Sequence, residues 1–273
     1  MNTVTYARQG RIARIQMRLP SGAFTPEVRR GLHAAWRQYR DDADAWIAVV
    51  SSEGTDFGRS ALEAAGKSYQ ARREHAMLWA GGHVEVWKPV IAAVQGECRG
   101  EGLALALACD LRVADATATF KTDFPEDVGA PDVLAAWLLN LVGAARTFEL
   151  LWLDPTLDAV EARRIGLVNR LAIKGPAKAL PPEDGRFPME AMAEAISVPE
   201  GDALSAALAF AEELLLYAPV TRNFQKEIAY RSIGVPFHYA QTLELGPNPY
   251  ASTDRIEGTR AFVENRRPIW QNK

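Results

Sequence analysis

The sequence predicts an α/β fold that ends in a helical segment. Short apolar runs of strand length alternate with longer stretches in which apolar residues recur every three or four positions. After residue 200 only the helical patterns continue. Of the 273 residues, 48% are hydrophobic and 24% are charged, which excludes a disordered chain or a coiled coil. This length suits one large domain with a smaller appendage.

The first elements are a hairpin, a helix and a buried strand. Residues 3–17 alternate as a half-buried hairpin does, and Gly10 lies at the turn. Residues 26–40 carry apolar side chains at helical spacing, and Thr25 is the expected N-cap. The apolar run 46–50 predicts a buried strand.

The middle of the chain repeats the order of strand, turn and helix. A polar helix is predicted over 62–87 and an apolar strand over 88–94. A glycine-punctuated turn over 96–102 then leads into a tightly buried helix over 103–109. Two short strands are expected at 111–114 and 119–120.

The remaining patterns are mostly helical. Helices are predicted over 135–142, 144–152 and 159–165, a strand over 167–171, and an exposed excursion or boundary over 174–188. The last predicted helices cover 204–217, 220–231, 237–245 and 256–266.

Charge and cysteine content narrow the classes of partner. The chain has 31 basic and 34 acidic residues and a net charge of −3, so no global positive field exists to hold nucleic acid or an anionic membrane. No uninterrupted apolar run approaches the roughly 18 residues of a membrane span. We expect a cytoplasmic protein without nucleic-acid or membrane partners. Cys98 and Cys109 lie in apolar stretches, which predicts buried thiols rather than disulfide or metal chemistry.

The turn over 96–102 is the first candidate for chemistry. A glycine-rich turn that opens a helix directs unpaired backbone N–H groups, and the positive end of the helix dipole, at one point. Such a turn predicts a site for an anion or oxyanion, although most glycine turns only form turns. The dinucleotide fingerprint is not matched, because the glycines lie at Gly96, Gly100 and Gly102.

Motifs along nearly the whole chain resemble those of the enoyl-CoA hydratase/isomerase (crotonase) family. They are KPVIAAVQGECRGEGLALALACDLRVA at 88–114, ATF at 118–120, LVG at 141–143, EARRIGLVNR at 161–170 and STDRIEGTRAFVENRRP at 252–268. The resemblance implies a spiral of ββα units with carboxy-terminal helices that assemble subunits into trimers or hexamers. We therefore expect a crotonase-like core over 1–195, a helical oligomerisation subdomain over 196–273, and a homo-oligomer.

The resemblance also implies an acyl-CoA substrate, with coenzyme A carried by the substrate and no separate cofactor. In the family two backbone N–H groups hold the thioester oxygen as it becomes an enolate, a type of stabilisation worth about 100-fold or more per donor. By position these donors are Ala61 and Glu101, and Gly100 and Gly102 beside Glu101 are expected to contact substrate. Arg59 and Arg266 are the candidate partners of the CoA phosphates.

Two residues depart from the family pattern. Ala104 stands where hydratases carry an acid/base glutamate, and Glu101 stands where most members have glycine. The Glu101 carboxylate is expected to face solvent at the helix start, where the helix dipole favours it. The alternative is that Glu101 serves as a substitute acid/base.

The remaining carboxylates come from residues 123–132, which contain four acids. Allowing one inserted residue, the family's Pro-Glu pair falls on Glu126. Asp132 lies twelve positions after Phe120, where some members place an essential aspartate. Glu126 and Asp132 are the candidate catalytic groups, against the alternative of a solvated charged loop.

Three functions follow from these features. An enoyl-CoA hydratase/isomerase-like enzyme, a lyase or isomerase of acyl-CoA thioesters, is the leading hypothesis. A catalytically silent crotonase-like subunit and a crotonase-fold C–C hydrolase of a cyclic β-diketone are the alternatives. No metal site is predicted, because no His, Cys and Asp cluster has ligand spacing.

Overall fold

A seven-stranded sheet lies at the centre of the fold. The computed structural model describes residues 3–60, 84–123, 132–176, 195–198 and 201–273. Its described strands are β1 (Val4–Gln9), β2 (Ile12–Arg18), β3 (Ala23–Phe24), β4 (Ile47–Glu53), β5 (Arg59–Ser60), β6 (Val90–Val94), β7 (Glu97–Arg99), β8 (Leu111–Ala114), β9 (Thr119–Lys121), β10 (Leu157–Asp158), β11 (Arg170–Lys174) and β12 (Ala195–Val198). The large sheet has the order β1-β2-β4-β6-β8-β11-β12; β1 and β2 are antiparallel and every later pair is parallel. Small sheets join β10-β9-β7 and β3-β5.

Helices alternate with these strands, which confirms the predicted α/β fold. The described helices are α1 (Pro26–Asp41), α2 (Glu101–Ala108), α3 (Asp132–Leu153), α4 (Ala159–Arg164), α5 (Ala203–Leu215), α6 (Pro219–Arg231), α7 (Phe237–Ala240) and α8 (Thr253–Val263).

Both faces of the large sheet are covered. Successive strand residues point to opposite faces, so Ala48 and Val50 of β4 pack with apolar residues of α1, α2 and α3, whereas Ile47 and Val49 pack with α5. Parallel strands covered on both faces carry continuous apolar runs rather than alternating ones. This explains why β4 and β6 were recognisable as buried strands in the sequence.

The predicted division at residue 195 is corrected by this packing. β12 begins at Ala195 and pairs with β11, so the boundary cuts through a strand of the central sheet. Ala206 and Phe210 of α5 are buried against the same sheet. The first helix of the proposed subdomain is therefore part of the core.

The local signals near the amino terminus are confirmed. β1 and β2 form the predicted hairpin, with Gln9 opposite Ile12 across the turn at Gly10. The Thr25 hydroxyl accepts a hydrogen bond from the Val28 N–H at 3.4 Å and so caps α1 as expected.

α3 is broken where the sequence predicted two helices. Gly143 has φ 77 and ψ 168, which interrupts the helical dihedrals. By length and composition, Leu134–Leu153 is the one described helix that is apolar enough to cross a membrane. Its residues Leu134 and Leu138, however, are buried in the apolar core cluster.

Three predicted elements differ from the structure. The strand expected over 167–171 starts at Arg170, because the Val168 N–H donates to Ala162 and the Asn169 N–H to Arg112 before the ladder begins. Residues 84–87 are not helical, and the rest of that predicted helix lies outside the described residues. The helix expected over 237–245 has only the four residues of α7.

Candidate active site

Two glycines let the amino end of α2 approach β5 closely. A Cβ on Gly102 would collide with the carbonyl oxygen of Gly58. A Cβ on Gly100 would collide with Ser60 Oγ, and Gly100 has φ 53 and ψ −114, which suits glycine alone. The turn predicted to open a helix therefore also sets the spacing between α2 and β5.

The Glu101 amide lies at this junction and has a partner within the protein. Its N–H donates to Ser60 Oγ at 3.0 Å. The sequence predicted that this N–H would be open to a substrate oxygen. In the structure it is already bonded to the Ser60 hydroxyl. The other predicted donor, Ala61, follows Ser60 and lies outside the described residues.

The Glu101 carboxylate is buried and paired with Arg29 of α1. Arg29 Nη2 lies 2.6 Å from Oε1 and 2.8 Å from Oε2, and Nε lies 3.1 Å from Oε1. The two side chains are only 10% and 12% exposed. The expectation that this carboxylate faces solvent is wrong. Burying an unpaired charge is so costly that the carboxylate requires the guanidinium beside it.

A sequence signal for this pair exists but is easy to miss. Arg29 lies on the buried side of α1, next to Val28 and one turn before Leu32. Glu101 is the single charged residue in α2, whose other residues are apolar or glycine. Two opposite charges, each on an otherwise apolar helix face, favour a buried ion pair.

The predicted phosphate partners differ in their surroundings. Arg59 Nη2 donates to the Ser21 carbonyl at 3.0 Å, and Arg59 forms no ion pair with any described residue. Arg266 is paired with Glu257 at 2.5 Å and Glu264 at 2.6 Å. The two carboxylates raise the Arg266 pKa and neutralise its charge within the chain. Of the two candidates, Arg59 is the better suited to meet a phosphate.

A sequence model of the family described as enoyl-CoA hydratase/isomerase matches residues 7–175. The chain belongs to the enoyl-CoA hydratase/isomerase family. It is 29% identical to carnitinyl-CoA dehydratase of Salmonella typhi over 275 residues, which cover 97% of each chain. Crystal structures of enoyl-CoA hydratases from Mycobacterium tuberculosis H37Rv and Mycobacterium marinum are each 26% identical, match over the full length of both chains, and give TM-scores of 0.78 and 0.80. The predicted crotonase fold is confirmed.

This enoyl-CoA hydratase/isomerase family member has an apolar residue where the resemblance implies an acid/base glutamate. Ala104 is 4% exposed and packs in the core. Its N–H donates to the Gly100 carbonyl in the first turn of α2. No titratable group is therefore available on α2 at this position, and proton transfer would need another residue.

The segment that contains the candidate acids follows β9, and hydrogen bonds to Asp154 hold the residues directly after this strand. The Asp154 carboxylate accepts hydrogen bonds from Thr122 Oγ1 at 2.5 Å, from the Thr122 N–H at 3.1 Å and from the Asp123 N–H at 3.0 Å. Burial would raise the pKa of Asp154, but these hydrogen bonds and the Lys121 cation keep it below its usual value. Glu126 lies outside the described residues, and Asp132 is the first residue of α3.

Both cysteines of this family member are buried, free thiols. Burial raises the pKa of the Cys109 thiol to about 12 and also raises that of Cys98. In the described part of the chain, no group of three or more His, Cys, Asp or Glu residues is placed to hold a metal ion.

Proposed function

We propose that this chain is an enzyme of acyl-CoA thioesters, of the lyase or isomerase type, that stabilises an enolate at the amino end of α2. The relatives named above are a carnitinyl-CoA dehydratase and enoyl-CoA hydratases, whose substrates belong to this class. The observation that carries the proposal is the neutralised helix start formed by Gly100, Glu101 and Arg29.

The charge balance at this helix start favours an oxyanion. The first turn of α2 presents the positive end of the helix dipole, and the first amide of the turn, Glu101 N–H, donates to Ser60 Oγ. A free Glu101 carboxylate would oppose negative charge that develops on a thioester oxygen. Because Arg29 binds that carboxylate through three hydrogen bonds, the pair has no net charge and the field of the helix end remains.

The other site residues have the following proposed roles. The amides of Ala61 and Glu101 define the two sides of the thioester oxygen, and Gly100 and Gly102 shape the contact with substrate. Glu126, Asp132 or both transfer the proton, since Ala104 cannot. Arg59 binds a CoA phosphate, and Arg266 does so only if a substrate displaces one of its glutamates.

Exposed apolar side chains support the proposed trimer or hexamer. Phe237, Phe262 and Val263 in the carboxy-terminal helical region are 78%, 80% and 77% exposed, and Ile269 near the end of the chain is 73% exposed. Clusters of large exposed apolar residues mark surfaces that contact another protein. A second copy of this chain is the proposed partner.

A catalytically silent subunit that binds acyl-CoA is the second candidate. Two observations favour it, namely Ala104 in place of an acid and the Glu101 N–H already bonded to Ser60. A silent subunit would still bind CoA esters through Arg59 and the α2 turn.

Turnover and binding of CoA esters of different chain length separate these candidates. In the enzyme, Glu126→Gln or Asp132→Asn lowers kcat by about 10²–10⁴-fold, the usual contribution of a general acid or base. The matched control is Asp44→Asn, because the Asp44 side chain is 61% exposed and pairs with Arg11 at the surface. Activity that neither carboxylate variant changes contradicts the assigned acids. Tight binding of CoA esters without turnover supports the silent subunit.

A cyclic β-diketone hydrolase is distinguished by its indifference to CoA. CoA that binds the folded state raises the melting temperature, with a gain of about 2.7 kcal/mol at a concentration 100 times Kd. If CoA gives no such protection and a cyclic diketone is cleaved, the thioester proposal is wrong.

A further inference from the structure

The Ser60 hydroxyl covers the amide that the proposed function assigns to the substrate oxygen. Ser60 is the last residue of β5 and is partly exposed. Its Oγ accepts the Glu101 N–H at 3.0 Å, and it donates its own proton to no described residue. Gly100, which has no side chain, leaves the space that this oxygen occupies.

A hydroxyl in this position is a better donor than an ordinary serine. A serine hydroxyl carries one proton and two lone pairs, so accepting one hydrogen bond leaves the proton available. The bond that it accepts comes from the first amide of α2, at the positive end of the helix dipole. Hydrogen bonds in a chain polarise one another, which makes the O–H a stronger donor.

We propose that Ser60 is a catalytic residue whose hydroxyl donates a hydrogen bond to the substrate carbonyl oxygen on the α2 side. The Glu101 amide polarises this hydroxyl by donating to its oxygen. The inference rests on the proposed function. Side-chain hydroxyls serve in oxyanion holes alongside backbone amides, so the chemistry requires no new kind of group. The donor moves from the main chain to a side chain, and the enolate oxygen accepts a hydrogen bond without receiving the proton.

The competing explanation is that Ser60 only caps α2. The N-cap residue Gly100 has no side chain to satisfy the first helical amides, and Ser60 supplies an acceptor from a neighbouring strand. A cap alone would affect stability by about 1 kcal/mol and would leave the chemical step unchanged.

Three substitutions at this position separate the two roles. Ser60→Ala places a methyl group in front of the amide and removes the donor, so kcat should fall about 100-fold or more while KM changes little. Ser60→Gly uncovers the amide, which can then donate directly, and should keep most of the activity lost in Ser60→Ala. Ser60→Thr keeps the hydroxyl and should stay close to the wild type. Melting temperatures of all three variants identify any that fail to fold.

The carbonyl stretching band of a bound, ¹³C-labelled acyl-CoA thioester gives a readout that a cap would not move. The Ser60 hydroxyl lowers this frequency further than the proposed Ala61 donor does alone, so the shift should shrink in Ser60→Ala and recover in Ser60→Gly and Ser60→Thr. Equal bands in the wild type and Ser60→Ala, with binding intact, overturn the role of Ser60 and leave the proposed function standing. Failure of the wild type to bind any CoA thioester overturns both.

Discussion

Replacing Arg29 with methionine leaves the Glu101 carboxylate buried without its partner. Both side chains are nearly inaccessible, at 10% and 12% exposure, and three hydrogen bonds join them. Removing one member of such a pair costs about 3–5 kcal/mol, because the remaining charge keeps its desolvation penalty. At about 2–4 °C per kcal/mol for a large domain, Arg29→Met should lower the melting temperature by roughly 6–20 °C.

Two further variants make this prediction specific. Arg30→Met is the matched control, since Arg30 is the next residue on α1, is 71% exposed and pairs with Glu27; it should cost less than about 1 kcal/mol. The double variant Arg29→Met/Glu101→Leu removes both charges and should recover most or all of the stability, because apolar replacements of buried pairs are often neutral or stabilising. The loss of a carboxylate at the helix start accounts for only about 0.3–1 kcal/mol.

Urea unfolding followed by tryptophan fluorescence measures all three free energies. The reasoning fails if Arg29→Met lies within about 1 kcal/mol of the wild type, or if the double variant is as unstable as the single one. The first result would mean that Glu101 reaches water, and the second would mean that Arg29 acts through packing alone.

Three other perturbations have defined outcomes. Gly143→Ala should cost about 1–3 kcal/mol in urea unfolding, because φ 77 and ψ 168 is a strained conformation for alanine although the space around it is open. Cys98 and Cys109 should not react with a thiol reagent at pH 8 in the native protein and should both react in urea, because burial raises their pKa values; rapid native labelling would show that the core opens. The Arg266 side chain and a backbone hydrogen bond lower the pKa of Glu257 from 4.5 to about 2, so its stabilising contribution is present above pH 4.5 and is lost as the pH falls towards 2; Glu257→Gln should flatten that dependence in thermal melts, and an unchanged slope would contradict it.

Local patterns predicted much of the fold. Continuous apolar runs identified the buried parallel strands, and Thr25 identified the start of α1, because a cap depends on residues three positions apart. The start of β11 was missed because its first ladder bonds depend on β8, more than fifty residues away. Burial could not mark this start either, because Leu167, which precedes the strand, is also buried.

The site was less predictable because its decisive contacts join residues that are far apart in the sequence. Position in the motif identified Glu101, but the direction of its carboxylate depends on Arg29, 72 residues earlier. The contact between Ser60 and the Glu101 amide likewise depends on how closely α2 approaches β5, a distance set by packing at Gly100 and Gly102. Side-chain direction at a helix start is a tertiary property, and the only local signal for it was a lone charge on each of two otherwise apolar helix faces.

The covering of the central sheet by α5 has a consequence for biosynthesis. Ile47, Val49 and Ile91 face α5, which begins only at Ala203. During translation these side chains emerge long before their cover does, so the nascent chain carries a bare apolar surface until the ribosome has passed that helix. Exposed surfaces of this kind recruit chaperones or lead to aggregation. Premature termination anywhere before α5 should therefore yield fragments that are cleared or precipitate rather than a smaller working protein.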